Sequence, residues 1–400
     1  MPSVDSPQRL IVALAALVAF APLSIDTYLP SLPLIASDLA SRANEVQLTI
    51  SLFLAGLCVG MLFIGPLSDR YGRQRLLIAG IVLYLLATLG CMFANTTASL
   101  ITWRFFQALG GAAASVIGRA IVRDLFPLKQ SARVLSLMHL VTMVATLVAP
   151  LLGSLLADIA GWRAVFAMLF FFAAACLLSV LFQVPESLPP ERRGKSFGQA
   201  FRAYAHIAAE PAALGYMLCM GLTFGGMFAF ITESPFVYIK HFGISPHAYA
   251  WLFALNIAGV IVITSFNARL VGRLGPARML FLGAGLALFA AILLLVIGMG
   301  GLADLPALVF GVLLFVSVTG LVGANCVASL LALFPNQAGA AAGLAVAGQF
   351  AMGTACSALV GRLSDGTPWA MCVVIGIAGV GCFLALQLAR RASLSLKSTA

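Results

Sequence analysis

Charge is what this sequence has least of. Of its 400 residues only 9% are Asp, Glu, Lys or Arg, against 62% that are hydrophobic. A soluble globule carries about 25% charged residues, so a soluble fold is excluded and an integral membrane protein is implied. Acidic residues are the scarcer sign, 13 against 23 basic. In a soluble chain that imbalance would suggest nucleic acid. Here the basic residues fall in short links between apolar runs, so membrane lipids with anionic headgroups are the expected partner and nucleic acid is not. Histidine occurs 4 times, and none of the 8 cysteines has C-x-x-C spacing. All eight lie inside apolar runs and read as small buried residues, so neither a disulfide framework nor a metal site is expected. The phosphate-cradling sequence G-x4-G-K-[ST] is missing, which leaves no ATP site and no expected cofactor. A secretory signal ending at Ala19-Phe20-Ala21 is also rejected, because cleavage there would destroy the first apolar run and leave an odd number.

What remains is a long series of apolar runs. Twelve are found, at about 9–30, 45–68, 76–94, 98–122, 132–157, 163–184, 211–237, 247–268, 277–298, 304–330, 339–361 and 368–389. Each is close to the roughly 20 residues a helix needs to cross the hydrocarbon layer. The longest polar interval carries Pro185, Pro189, Pro190, Glu191, Arg192, Arg193, Lys195 and Arg202. It divides the chain into an N-terminal six-helix bundle (1–184), a linker (185–210) and a C-terminal six-helix bundle (211–400). Lys and Arg crowd alternate loops, including Arg70, Arg73 and Arg75 after the second run, and both ends of the chain. Only Arg42, Arg163, Lys240 and Arg362 fall in the opposite loops, while Arg104 and Arg119 lie within spans. Positive charge stays cytoplasmic, so both termini and the linker are expected inside.

The halves match each other. Ala268-x3-Gly272-Arg273-Leu274-Gly275-Pro276-x-Arg278 repeats the loop after the second run, with Gly272 where Asp69 stands. Leu156-Ala157-Asp158 with Trp162 matches Leu363-Ser364-Asp365 with Trp369, 207 positions later. Six spans per half give both copies one orientation. The expected architecture is therefore all-α, twelve transmembrane helices in two parallel six-helix repeats, with substrate bound between the halves near mid-membrane.

A charge inside a span costs several kcal/mol unless it faces a partner or a cavity. Three stand deep: Asp26, Arg104 and Glu233. Glu233 follows Asp26 by the same 207 positions, so the carboxylates are equivalent in the two repeats. Pro30 and Pro33 follow one, Pro235 the other, and a proline breaks helical hydrogen bonding and opens backbone groups to a cavity. Two readings are open: carboxylates solvated at the outer headgroup boundary, or carboxylates facing a cavity where burial and a nearby arginine set proton exchange. Arg119 reads as a side chain snorkelling to the cytoplasm, and His139 as structural. Tyr28, Phe224, Phe228, Phe230 and Phe236 are candidate walls of a pocket for flat apolar compounds. Gln107 is a further candidate for the substrate cavity, and Asn256, Asn325 and Gln349 are polar side chains within spans, explained equally by interhelical hydrogen bonds and by substrate contact.

The sequence Gly65-Pro66-Leu67-Ser68-Asp69-Arg70-Tyr71-Gly72-Arg73-Gln74-Arg75 resembles the loop signature of the major facilitator superfamily. That resemblance makes Gly65, Asp69, Arg70, Gly72 and Arg73 a conformational latch on the inner side, with Asp69 accepting from amides at a helix N-terminus. Arg104-x2-Gln107-x2-Gly110 resembles the family's fourth-helix signature, in which the arginine is associated with proton transfer. Ala145-x3-Ala149-Pro150-x2-Gly153-Ser154 looks like the antiporter signature G-x3-G-P-x2-G-G with three glycines replaced by Ala or Ser. Ser24-Ile25-Asp26-Thr27-Tyr28-Leu29-Pro30, with Thr232-Glu233-Ser234-Pro235, looks like the bicyclomycin and chloramphenicol/florfenicol resistance type, over nearly the whole chain. The resemblance implies a monomeric drug/proton antiporter of the bacterial inner membrane, not an enzyme, with Asp26 as coupling carboxylate. Its rivals are a proton-coupled exporter of an amino acid or other metabolite and, more distantly, a membrane receptor that does not transport.

Overall fold

The computed structural model describes residues 7–189, 191, 193–194, 197–300 and 304–398. Pro190, Arg192 and Lys195 of the expected linker lie outside that set. Among the described residues every regular element is a helix. The elements of the first half are α1 (Pro7–Leu17), α2 (Phe20–Asp26), α3 (Leu32–Asp38), α4 (Ala43–Tyr71), α5 (Arg73–Met92), α6 (Thr97–Leu125), α7 (Leu128–Ala160) and α8 (Arg163–Gln183). They continue as α9 (Phe197–Ala209), α10 (Pro211–Pro235), α11 (Pro246–Leu274), α12 (Pro276–Met299), α13 (Leu305–Ser317), α14 (Thr319–Leu333), α15 (Ala338–Leu363) and α16 (Trp369–Ser398). Helix starts follow local chemistry. Thr96, Ser245 and Asp304 each accept a hydrogen bond from an amide of the first turn, and prolines open α10, α11 and α12, where no donor is needed.

Eleven described segments are long and apolar enough to span a membrane, and a bent pair brings the count to as many as twelve. The bent pair is the first apolar run, which the periodicity predicts as one helix. It breaks between α1 and the segment from Phe20 to Asp38, with a bend of 41°. Pro22 has no amide to bond Val18, and Pro30 and Pro33 likewise release Asp26 and Leu29, so the chain passes through a 3-10 turn at Leu29–Ser31. The tenth run also divides at Val318, giving α13 and α14. Past Pro235 the seventh run continues as a π-helical turn, Phe236–His241. The expected linker contains α9, in which Phe197, Ala200, Tyr204 and Ile207 recur at three- and four-residue spacing, with Ile207 buried.

Packing divides the chain into two compact units. One comprises Met1–Ser41 with Leu52–Ala200, the other Arg42–Ser51 with Phe201–Ala400. The first turns of α4 thus belong with the second unit, although the sequence places them in the first half. Within the first unit, small residues let helices touch backbone to backbone: a Cβ on Gly110 of α6 would stand 2.6 Å from the Gly80 carbonyl oxygen of α5. The second unit has a core that includes Cys219, Cys326, Leu321, Val322, Ala341, Ala345 and Leu386.

The loop between α4 and α5 is pinned within the first unit by charge. Arg73 pairs with Asp69 at 2.6 Å and with Asp124 of α6 at 3.1 Å, and also donates to Ser68. Asp69 therefore answers its own loop arginine. The carboxylate at a helix N-terminus here is Glu186, which accepts from the Arg73 amide at 2.9 Å as α5 begins. Gly72 turns there with φ +100, and a side chain would meet the Glu186 carboxylate. Gln74 donates to the Val184 carbonyl at 2.7 Å and Ser187 to Asp124 at 3.0 Å, so residues 184–188 lie strapped along this loop. Gly65 has open space around it, with Val116 at 4.0 Å. Arg70 stands over the ring of the neighbouring Tyr71 at 5.5 Å.

Candidate functional site

In the first unit the interrupted helix 1 carries the acid. Asp26 ends α2, 5% exposed, and faces Thr146 of α7. What brings α7 so close is Gly153: any Cβ there would overlap the Thr27 carbonyl group and stand 2.8 Å from the Thr27 Cα. Ala149 is fully buried one turn earlier, and Pro150 lies within the helix without ending it. The antiporter-like stretch is thus the surface on which the Asp26 backbone rests.

Arg104 projects from α6 and is 0% exposed. Its Nη1 donates to the Ser24 carbonyl at 3.0 Å and to Gln107 Oε1 at 2.8 Å. Gln107 passes the chain on, donating to Thr88 at 2.8 Å, and Thr88 donates to the Tyr84 carbonyl. Ser24 hydroxyl and Tyr84 hydroxyl meet at 2.6 Å. Arg104 Nε and Nη2 have no partner among the described residues. The guanidinium carbon lies instead 4.1 Å from the Phe53 ring centroid, 4.6 Å from that of Tyr28 and 6.0 Å from that of Phe166. Tyr28 is fully buried in this contact.

In the second unit Glu233 of α10 is also 0% exposed. Gln47 Nε2 donates to one carboxylate oxygen at 2.7 Å and Ser364 Oγ to the other at 2.6 Å. Beside it Thr232 meets Ser357 at 2.7 Å, and Ser357 meets Ser51 at 2.8 Å. The buried Gln47 and the half-buried Ser364 thus give each carboxylate oxygen one neutral partner. The adjacent Asp365 lies outside the spans, and its Thr367 hydroxyl and amide partners hold its carboxyl below the usual range. Replacing Glu233 by Ala leaves the buried Gln47 amide facing a void, at a cost of about 1–3 kcal/mol, and takes the partner from the half-buried Ser364 hydroxyl. Glu233→Gln keeps one acceptor, and the Ser364 hydroxyl can turn to accept. The Ala variant is expected to melt clearly below wild type in detergent and the Gln variant close to it.

The other named residues fall into two groups. Phe224 and Phe228 meet at 4.9 Å between ring centroids, and Phe224 packs edge-on against Phe350 at 5.3 Å. Gln349, half-buried, is the neighbour of that third ring. Phe230 stacks on Phe253 in the interior of the second unit, and Phe236 is buried on the π-helical turn. Asn256 and Asn325 are buried too. Asn256 donates to the Leu252 carbonyl at 2.9 Å, and Asn325 donates to Asn267 and to the Leu321 carbonyl, each at 2.8 Å. Arg119 and His139 are both exposed. Among the described residues no group of three His, Cys, Asp or Glu could hold a metal.

Several site neighbours escaped the sequence reading. Gln47 and Thr146 are polar residues inside apolar runs, the same signal that Asn256 carries. Ser364 carried one only through its place in the repeat. Phe53 has no signal at all among 28 phenylalanines.

Residues 13–355 match the family model described as Major Facilitator Superfamily. A bicyclomycin resistance protein homolog from Haemophilus influenzae is 31% identical over 92% of this chain and 94% of its own. The multidrug resistance protein MdtL of Escherichia coli is 31% identical over 70% of this chain and 72% of its own. The crystal structure of a D-xylose-proton symporter superposes with TM-score 0.73 at 18% identity, covering 95% of this chain and 96% of that one, a likeness of fold. By the family match and by these relatives, the chain belongs to the Major Facilitator Superfamily of membrane transporters.

Proposed function

We propose that this protein is a proton-coupled exporter of small organic antimicrobials, an antiporter working by alternating access in the bacterial inner membrane. The observation that carries the reading is the pair of buried carboxylates at equivalent repeat positions, Asp26 and Glu233, each set among neutral hydrogen-bonding side chains. Buried acids in a membrane helix mark proton or ion pathways. The names of the relatives, bicyclomycin resistance and multidrug resistance, supply the substrate class. Asp26 takes the proton from outside, Arg104 tunes its release, and Glu233 answers it in the second repeat. The half-buried rings Phe224 and Phe350, with Phe228, offer planar apolar compounds a surface. Both termini lie in the cytoplasm, where basic loops meet anionic lipid, and one chain suffices for the cycle.

The test is collapse of a pH gradient in everted membrane vesicles on addition of bicyclomycin, chloramphenicol, florfenicol or ethidium. At least one of these is expected to release protons from vesicles that contain the protein and not from empty ones. Silence across the panel, with leakage of labelled amino acids instead, would replace the drug reading by metabolite export.

A further inference from the structure

Arg104 is a buried cation without a carboxylate. Among the described residues no ion pair includes it, and two of its three guanidinium nitrogens lack any hydrogen-bond partner. An unpaired charge in a membrane interior ordinarily pairs, neutralises or moves. The ionisable groups that face it are Tyr28, and Tyr84 and Cys91 of α5, none of them an anion at neutral pH. The Phe53 ring of α4 is the aromatic group nearest its charge, at 4.1 Å, and Phe53 is completely buried. An aromatic face attracts a cation through its quadrupole, and most strongly where water is excluded. Tyr28 and Phe166 give further faces, and Tyr28 and Phe166 also pack on each other at 5.7 Å.

We infer that Phe53 is a positioning residue for proton exchange: its ring face stands in for a counter-ion and holds the Arg104 guanidinium away from lasting pairing with Asp26. The inference rests on the reading of Asp26 as the proton site. An arginine free to close on that carboxylate would hold it ionised and oppose proton loading. An arginine seated on aromatic faces can approach when exchange requires it and return without leaving a bare buried charge. Nη1, bonded to the Ser24 carbonyl two residues before Asp26, keeps the guanidinium within reach of the acid's own helix. An aliphatic side chain at position 53 would fill much of the same space and offer the cation nothing.

The experiment uses the full-length protein in everted vesicles, with whichever compound of the panel releases protons from the wild type. Phe53→Leu keeps an apolar side chain and removes the π face, whereas Phe53→Trp keeps the face. Ring-fluorinated phenylalanines introduced at position 53 weaken the quadrupole in steps at nearly constant volume. The Leu variant is expected to move the pH profile of exchange toward acid by about 1–3 pH units, the range by which a neighbouring arginine displaces an aspartate. The Trp variant should keep the wild-type profile, and increasing fluorination should displace it progressively. If the Leu and fluorinated proteins exchange at reduced rate with an unmoved pH profile, Phe53 only packs and the inference is overturned. If Leu fails to accumulate, the fluorinated series alone decides. A wild type that releases no protons with any compound sinks the exporter reading itself, which is a separate outcome from an active wild type whose Phe53 variants keep its profile.

Discussion

Asp26→Asn is expected to abolish drug-driven proton release in everted vesicles while leaving the protein folded and drug binding largely intact. The amide has the shape of the acid and can still face Thr146, so the local packing of α2 on α7 survives. What it cannot do is take up and lose a proton. In a strict antiporter the proton is the return load, so proton flux and uphill drug efflux should fall together to the level of empty vesicles. Drug exchange at equal concentrations on both sides does not need the proton and should persist in part. Asp26→Glu keeps the chemistry but adds a methylene where α7 leaves little room. It is expected to retain coupling at a reduced rate. Coupled proton release that survives Asp26→Asn would move the proton site to Glu233, which is buried and in the equivalent repeat position.

Much of this site was legible before any coordinates, and the reason is physical. A membrane interior penalises charge so heavily that Asp26, Arg104 and Glu233 stand out of an apolar sequence without further information. The same penalty on open backbone makes long apolar runs helical, so the element order followed from composition. What escaped depends on contacts distant in sequence. Nothing local reveals that Glu186 meets the amide of Arg73, or that the first turns of α4 pack with the second unit and bring Gln47 to Glu233. The break in the first helix was half visible. Pro30 and Pro33 mark its end in the sequence, but apolar periodicity runs straight through Pro22 and predicts one continuous helix over 9–30. Phe53 is the extreme case, because one phenylalanine among many gains its role only from the cation that lands on it.

Gly153→Val is expected to cost the protein its fold, and Gly153→Ala to weaken it measurably. Close approach decides this rather than helix propensity. A Cβ at position 153 would overlap the carbonyl group of Thr27, and that obstacle is backbone, which cannot swing aside as a flexible side chain would. Either α7 retreats from the broken helix 1 or the turn from Asp26 to Tyr28 shifts. The first loses buried packing, and the second moves the acid and one of the rings around Arg104. Overpacking of this kind costs about 1–3 kcal/mol for small additions and more for branched ones. Alanine should therefore lower the melting temperature in detergent and the coupled rate together, while valine should leave little monodisperse protein. Gly285→Ala is the control: nothing lies within 4 Å of a Cβ there, and a helical glycine replaced by alanine gains about 0.5–1 kcal/mol. A valine variant at 153 that purifies and melts like wild type would mean that α7 does not touch Thr27 in the folded protein. The same contact explains which glycine of the antiporter-like pattern has been kept. Ala149 and Ser154 are buried with their Cβ atoms accommodated, whereas position 153 faces the backbone that carries Asp26 and has no space for one.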